Sequence, residues 1–288
     1  MKIAIIGGDL RIVKLAKILA KENTIITYGL ENVAELKNAK NIILANSLEE
    51  ALKQANIIIG PLPFSKDEIN IVAPFTNNNI PINTLMQNMQ TKILIAGAIS
   101  NKIKQLAEDN HIKIIDLMDQ EELTVLNTIA TAEGAIQVAM ENTQKIIHGS
   151  NVLVLGFGRV GKAVAQKFAG LSANVTCAVR KPKDFAWVEV YGYNSININN
   201  LANNLSEYDI IINTPPTLIL TKERLKYVKK GCLIIDLASK PGGVDVNAVE
   251  ELKINFKWAL ALPGKVAPVT AAEHINIVLT KILEELSA

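Results

Sequence analysis

Residues 151–165, NVLVLGFGRVGKAVA, decide how the chain is read. An apolar run ends at Gly156, and Gly156-Phe157-Gly158-Arg159-Val160-Gly161 fits G-x-G-x-x-G. The segment that follows, RVGKAVAQKFAG, has helical periodicity. Strand, glycine turn and helix in that order form a pyrophosphate cradle. The first glycine permits the tight turn, the second lets a backbone approach phosphate, and the third lets helix pack on strand. The helix start offers unbonded N–H groups and partial positive charge to the anion. Residues 156–161 are therefore the expected cofactor contacts: Gly156, Phe157, Gly158, Arg159, Val160 and Gly161. A lone glycine pattern is otherwise only a tight turn; here the flanking strand and helix carry the reading.

The next strand ends in CAVRKP, residues 177–182. An NAD-binding unit of this kind places an acid near this position, where it hydrogen-bonds the adenosine ribose. Here Arg180 and Lys181 stand there instead. An acid would repel a 2′-phosphate, whereas a guanidinium suits bidentate contact with one. The expected cofactor is NADP(H); the plainer alternative is a pair of solvated loop charges. Thr214 and Pro215, at the end of the run DIIINT, complete the expected cofactor residues.

Outward from this unit, short apolar runs alternate with helical patterns along all 288 residues. Strands are expected at 2–6, 24–28, 41–44, 56–60, 92–98 and 112–117, then at 151–156, 174–179, 194–198, 209–214, 231–236 and 256–262. Such alternation implies βαβ units and parallel sheets. The expected fold is α/β, with two doubly wound parallel-sheet domains, the second a Rossmann dinucleotide-binding domain. The first domain is expected over 1–128. A connecting helix (131–147, with Thr131 as N-cap and His148-Gly149 closing it) and the Rossmann domain occupy 129–269. The last helix, 270–288, is expected to pack back on the first domain.

The hydrophobic fraction of 49% suits strands buried on both faces. No run approaches the ~20 apolar residues of a membrane span, and the N-terminus lacks a signal peptide's apolar stretch. The net charge of +2 and the absence of a basic stripe argue against nucleic acid. Cys177 and Cys232 lie in apolar runs and read as buried thiols in a reducing, cytoplasmic setting. No metal site is expected.

The first turn, IIGGDLR, imitates a cradle but sets Asp9 where pyrophosphate would sit. Asp9 either caps the following helix or faces a ligand cleft with Arg11 as a carboxylate anchor. Both readings stand on the sequence. His111, His148 and His274 read as structural, although His274 alone has a path to such a cleft.

AIIGGDLR, NTIATAEGAIQVAM, IHGSNVLVLGFGRVGKAVA, IINTPP, LIIDLASKPGGVDV and LALPGKVAPVTA together resemble the A-subunit family of dipicolinate synthase, in the right order over nearly the whole chain. The resemblance implies the NADP-dependent half of an enzyme that works in the cytoplasm of the mother cell of a sporulating bacterium. There it converts hydroxy-tetrahydrodipicolinate to dipicolinate (pyridine-2,6-dicarboxylate). It also implies a flavoprotein-like partner, the B-subunit of the synthase, in a heteromeric complex; the oligomeric state stays open, a homo-oligomer included. Lys240 stands where the family has arginine, and Ala130 where it has proline. A dicarboxylate substrate calls for cationic anchors, and Arg11, Lys240 with the Gly242-Gly243 backbone, and Lys265 are the candidates. Glu133 is the first choice of base for the proton that accompanies hydride loss, Asp9 the second. Ser239 is placed to hydrogen-bond either ligand.

Two rivals remain. A D-2-hydroxyacid dehydrogenase shares the domain plan but needs a cleft histidine, commonly after a proline beyond the last strand; here that stretch reads Leu262-Pro263-Gly264. A non-catalytic NADP(H) sensor would explain the cradle and Arg180 without the ASKPGG and LPGKVAP loops.

Overall fold

The computed structural model describes residues 1–89 and 91–287. The chain divides into two compact units: Met1–Leu126 with Ala267–Ala288, and Asn127–Val266.

In unit 1 the sheet contains β1 (Lys2–Ile6), β2 (Thr24–Tyr28), β3 (Ile42–Leu44), β4 (Ile57–Ile59), β5 (Ile93–Ala96) and β6 (Lys113–Asp116). Their order across the sheet is β3-β2-β1-β4-β5-β6, and all pairs are parallel. Helices α1 (Leu10–Leu19), α2 (Leu48–Lys53), α3 (Ile82–Gln87) and α4 (Asn101–Asp109) lie between strands. Alternate residues of one strand feed opposite cores. Ile3 and Ile5 join a cluster with α1, whereas Ala4 and Ile6 join one with α2 and α3. Burial of both faces explains why the strands read as unbroken isoleucine runs.

In unit 2 the strands are β7 (Asn151–Leu155), β8 (Asn174–Val179), β9 (Asn194–Asn197), β10 (Ile210–Asn213), β11 (Leu233–Asp236) and β12 (Asn255–Trp258). They pair in parallel in the order β12-β11-β10-β7-β8-β9, which is the same winding as in unit 1. The chain moves outward through β8 and β9, then returns to the far side of β7. The switch point therefore lies between β7 and β10, above their C-terminal ends, where doubly wound sheets bind ligands.

Four expectations need correction. Helix α5 runs over Glu121–Asn142, so it starts ten residues before Thr131 and ends five before Ile147. Thr131 is no cap: its hydroxyl donates back to the Asn127 carbonyl at 2.7 Å, inside the helix. Gly134 is tolerated mid-helix because Leu262 fills the space a Cβ would take, at 3.0 Å. Gly149, at φ +72°, belongs to a later turn, where its N–H donates to the Ser172 carbonyl at 2.8 Å. Finally, the run 256–262 gives a strand only to Trp258; Leu262 already opens the short α10 (Leu262–Val266).

The last helix, α11 (Pro268–Ser287), places Ala272, Ile275, Val278, Leu279, Ile282 and Leu283 in the same core as α1. Within unit 1 it shares with α1 the covering of one sheet face. Among the described residues no helix is long and apolar enough to cross a membrane.

Candidate dinucleotide-binding site

In unit 2, Gly156 follows β7 at φ +84°, a left-handed conformation that glycine adopts without strain. A Cβ there would meet Pro215 at 2.9 Å and the Thr214 hydroxyl at 3.0 Å. That hydroxyl donates to the Leu155 carbonyl at 2.8 Å, so Thr214 braces the turn from beneath. Gly161 is more constrained, because a Cβ would lie 2.3 Å from the Gly156 carbonyl oxygen. Only glycine lets α6 (Arg159–Gly170) approach β7 this closely.

Gly158 has a different reason to be glycine. It is the N-cap of α6, a Cβ on it would meet nothing within 4 Å, and no side chain caps the helix. With no side chain over it, the start of α6 is open to an anion. Arg159 and Val160 form the first turn, Arg159 exposed and Val160 packed against the core.

Arg180 and Lys181 leave the end of β8 into a pocket of about 400 Å³, within unit 2. Gly156, Phe157 and Pro215 line the same pocket, so half of the ten cofactor residues read from the sequence meet there; Gly158, Arg159, Val160, Gly161 and Thr214 are not among its lining. Arg180 and Lys181 are exposed, and their side chains make no hydrogen bond or ion pair among the described residues. Phe157 is held in place by the edges of Tyr191 and Tyr193, at ring-centroid distances of 5.7 and 6.3 Å. The pocket also contains residues that sequence motifs do not single out, among them Asn199, Thr217 and Arg224. Asn199 and Thr217 have one signal, their position just beyond the C-terminal ends of β9 and β10; Arg224, eleven residues past β10, has none.

Beside the switch point, the loop after β11 is fastened from within. The Asp236 carboxylate, 1% exposed, accepts hydrogen bonds from the N–H groups of Ala238 (2.9 Å) and Gly243 (2.8 Å) and from Asn213 Nδ2 (2.7 Å). Trp258 Nε1 donates to the Ala238 carbonyl at 2.9 Å. This corrects one expectation. The Gly242 N–H donates to the Ser239 carbonyl, and Gly243 to Asp236, so neither is available to a substrate carboxylate. What the brace does present is the exposed Lys240 beside Ser239; Lys265 lies at the end of α10.

The remaining acid–base candidates are held by cations. Glu133 is not at a helix head. It lies midway along α5 and pairs with Lys167 at 2.8 Å, with half its side chain in solvent. Lys167 sits eight residues beyond Arg159, roughly 12 Å along α6 from its phosphate-facing end. In unit 1 the Asp9 carboxylate caps α1 by accepting from the Arg11 N–H at 3.0 Å and also pairs with the Arg11 guanidinium at 2.7 Å. The same guanidinium donates to the Leu62 carbonyl and is 5% exposed. Arg11 thus has the neighbouring-acid partner that a loop-stabilising role requires.

Burial pushes the thiols of Cys177 and Cys232 up to about 12, which makes them inert core groups. Among the described residues no cluster of His, Cys, Asp and Glu could hold a metal ion.

An uncapped helix start over a glycine turn, at the switch point of a doubly wound sheet, defines a nicotinamide-dinucleotide-binding domain of the dehydrogenase type, and the chain is an oxidoreductase of that class. Residues 125–251 match the D-isomer specific 2-hydroxyacid dehydrogenase NAD-binding domain, and residues 2–118 match the N-terminal domain of the dipicolinate synthase A-subunit. The A-subunit of dipicolinate synthase from Bacillus subtilis is 32% identical over 291 residues, covering 100% of this chain and 97% of that protein. The chain belongs to the dipicolinate synthase A-subunit family. Crystal structures of the A-subunits from Bacillus halodurans (TM-score 0.89, 30% identity, 98% and 97% of the two chains) and Bacillus subtilis (0.87, 31%, 100% and 97%) share its fold.

Proposed function

We propose that this chain is the NADP-dependent component of a dipicolinate synthase, acting with a flavoprotein-like B-subunit in the cytoplasm of a sporulating mother cell. The substrate on this reading is hydroxy-tetrahydrodipicolinate, which loses water to give a dihydropyridine dicarboxylate. A ring C–H bond of that intermediate then breaks. The intermediate would lose that hydrogen as hydride, which a bound nicotinamide would accept, and a second ring proton, which a base would take, to give pyridine-2,6-dicarboxylate.

The observation that supports NADP over NAD is the pair of unpartnered cations, Arg180 and Lys181, at the end of β8, with no acid at the ribose position. The bound cofactor supplies the hydride acceptor. The chain's own residues bind and orient. The uncapped start of α6 takes the pyrophosphate, Gly158 admits it, and Pro215 and Phe157 wall the adenosine side. Lys240 and Ser239 are the proposed contacts to the substrate's carboxylates, presented on the loop that Asp236 braces. Lys in place of the family's arginine keeps the charge without the bidentate fork. In unit 1 the Arg11 guanidinium can take an anion only if its pair with Asp9 opens. Proton uptake at Glu133 or Asp9 must likewise break an ion pair, with Lys167 or Arg11.

The test mixes the purified chain, its B-type partner, NADP and the hydroxy-tetrahydro substrate, and follows NADPH absorbance together with dipicolinate. Turnover is expected only with both proteins present. Cofactor binding with no turnover under any combination would make the chain a sensor; full turnover by the chain alone would remove the dependence on a partner.

A further inference from the structure

Arg224 lies in α8 (Lys222–Leu225), outside every sequence motif described so far. It is half-buried and lines the same pocket as Arg180 and Lys181. Its Nη1 donates to the carbonyl of Ile219, another lining residue, at 2.8 Å. Among the described residues no carboxylate pairs with it. The pocket wall therefore carries three cations, Arg180, Lys181 and Arg224, against one carboxylate, Asp184. Such an excess of positive charge along one half-open pocket favours a multiply charged anion.

We propose that Arg224 is a specificity-determining residue that contacts the 2′-phosphate of the adenosine ribose from the β10 side, opposite Arg180 and Lys181 at the end of β8. This rests on the reading that the pocket takes the adenosine half of NADP. A phosphomonoester brings about −1.5 to −2 charges at neutral pH, which matches the excess; the ribose diol of NAD brings none. The single bond to Ile219 fixes the guanidinium plane and leaves its remaining N–H donors for two phosphate oxygens, the fork geometry that lysine cannot reproduce. The competing explanation is that Arg224 only ties the loop at Ile219.

Calorimetric titration of the full chain with adenosine 2′,5′-bisphosphate and with 5′-AMP separates the two explanations. Arg224→Gln is expected to weaken the bisphosphate by about ten- to a hundredfold and to leave AMP within about twofold. Arg180→Gln is the control. If it weakens only the bisphosphate while Arg224→Gln does not, the Arg224 assignment falls and the NADP reading stands. If neither variant changes the ratio of the two affinities, both fall. An equal loss for both ligands in Arg224→Gln makes Arg224 a loop tie. Should that variant melt early, Arg224→Lys, which keeps the charge but loses the fork, is read on the same ratio, and an unchanged ratio there overturns the bidentate contact.

Discussion

Helix α1 begins beneath the Asp9 carboxylate, with the Gly8 N–H turned onto the Val72 carbonyl at 2.7 Å; α6, after the corresponding strand of an identically ordered sheet, begins at Gly158 with no side chain over it. Aligned from the ends of β1 and β7, Gly7 matches Gly156, Asp9 matches Gly158, and Ile12 matches Gly161. The first glycine is kept, at φ +65° and +84°, because both turns need it. The other two positions differ, and they are the ones that admit phosphate and bring the helix close. Beyond β2 stands Glu31, bonded to the Thr76 hydroxyl; beyond β8 stands Arg180. Strand order alone thus does not make a cofactor site. What covers the helix start does.

The largest effect is expected when the closed turn of unit 1 is copied into unit 2. Gly158→Asp puts a carboxylate where it can cap α6 and face the pyrophosphate. NADPH affinity by calorimetry should fall at least about a thousandfold, while the cofactor-free chain should keep its stability or gain roughly a few tenths of a kcal/mol. Retained binding would end the argument from helix capping.

Next in size is the brace at β11. Asp236→Ala leaves three buried donors without an acceptor and should cost at least about 3 kcal/mol in urea unfolding of unit 2. Unit 1 has an analogous clamp, in which Asp116 accepts from the N–H groups of Ala98, Ile99 and Met118. Asp116→Ala should destabilise unit 1 and leave cofactor affinity alone. Loss of affinity in that variant would mean that the two units are not separable in this way.

Arg180→Ala should weaken NADPH by about 1.5–3 kcal/mol, roughly ten- to a hundredfold, and leave NADH nearly unchanged. Equal losses would return Arg180 to a solvated loop charge.

The smallest effect lies at the opposite end of the second sheet's strands. Burial pushes Asp209 upward, but bonds from Lys145, the Asn151 N–H and Lys229 outweigh it and hold the carboxyl at about 2. A depressed acid stabilises the fold above its unfolded value, near ~4, and loses that contribution as pH falls through its folded value. Asp209→Asn should therefore cost about 1–2 kcal/mol at pH 7, with the gap to wild type closing between about pH 4 and pH 2 and cofactor affinity unchanged. A gap that persists at the acid end of that range would assign the loss to geometry instead of charge.

The strands and the cradle are legible in the sequence because their causes are local. Burial on both faces writes itself as apolar runs such as Ile210–Ile212, and a glycine turn between strand and helix has a fixed spacing. The hidden parts depend on partners distant in sequence. Nothing near Gly8 announces that Val72 closes it, since the segment 60–81 that supplies Val72 has neither helical nor strand period. The Gly242-Gly243 backbone looks available because Asp236, which binds one of its N–H groups, precedes it by seven residues. The start of α5 is masked by the β-branched Thr124, Val125, Thr128 and Ile129, whereas the alanine-rich second half displays its period.

The bare start of α6 has a thermodynamic consequence for the chain as a whole. A ligand that binds only the folded form adds RT ln(1 + [L]/Kd), about 2.7 kcal/mol at a concentration roughly one hundred times Kd. That increment goes to the unit that holds the cradle. Unit 1, whose corresponding turn is already closed by its own Asp9 and Val72, draws none of it directly. In a cell the nicotinamide pool would therefore set how long unit 2 resists proteases, and starvation for cofactor should expose cleavage sites in residues 127–266 before any in residues 1–126.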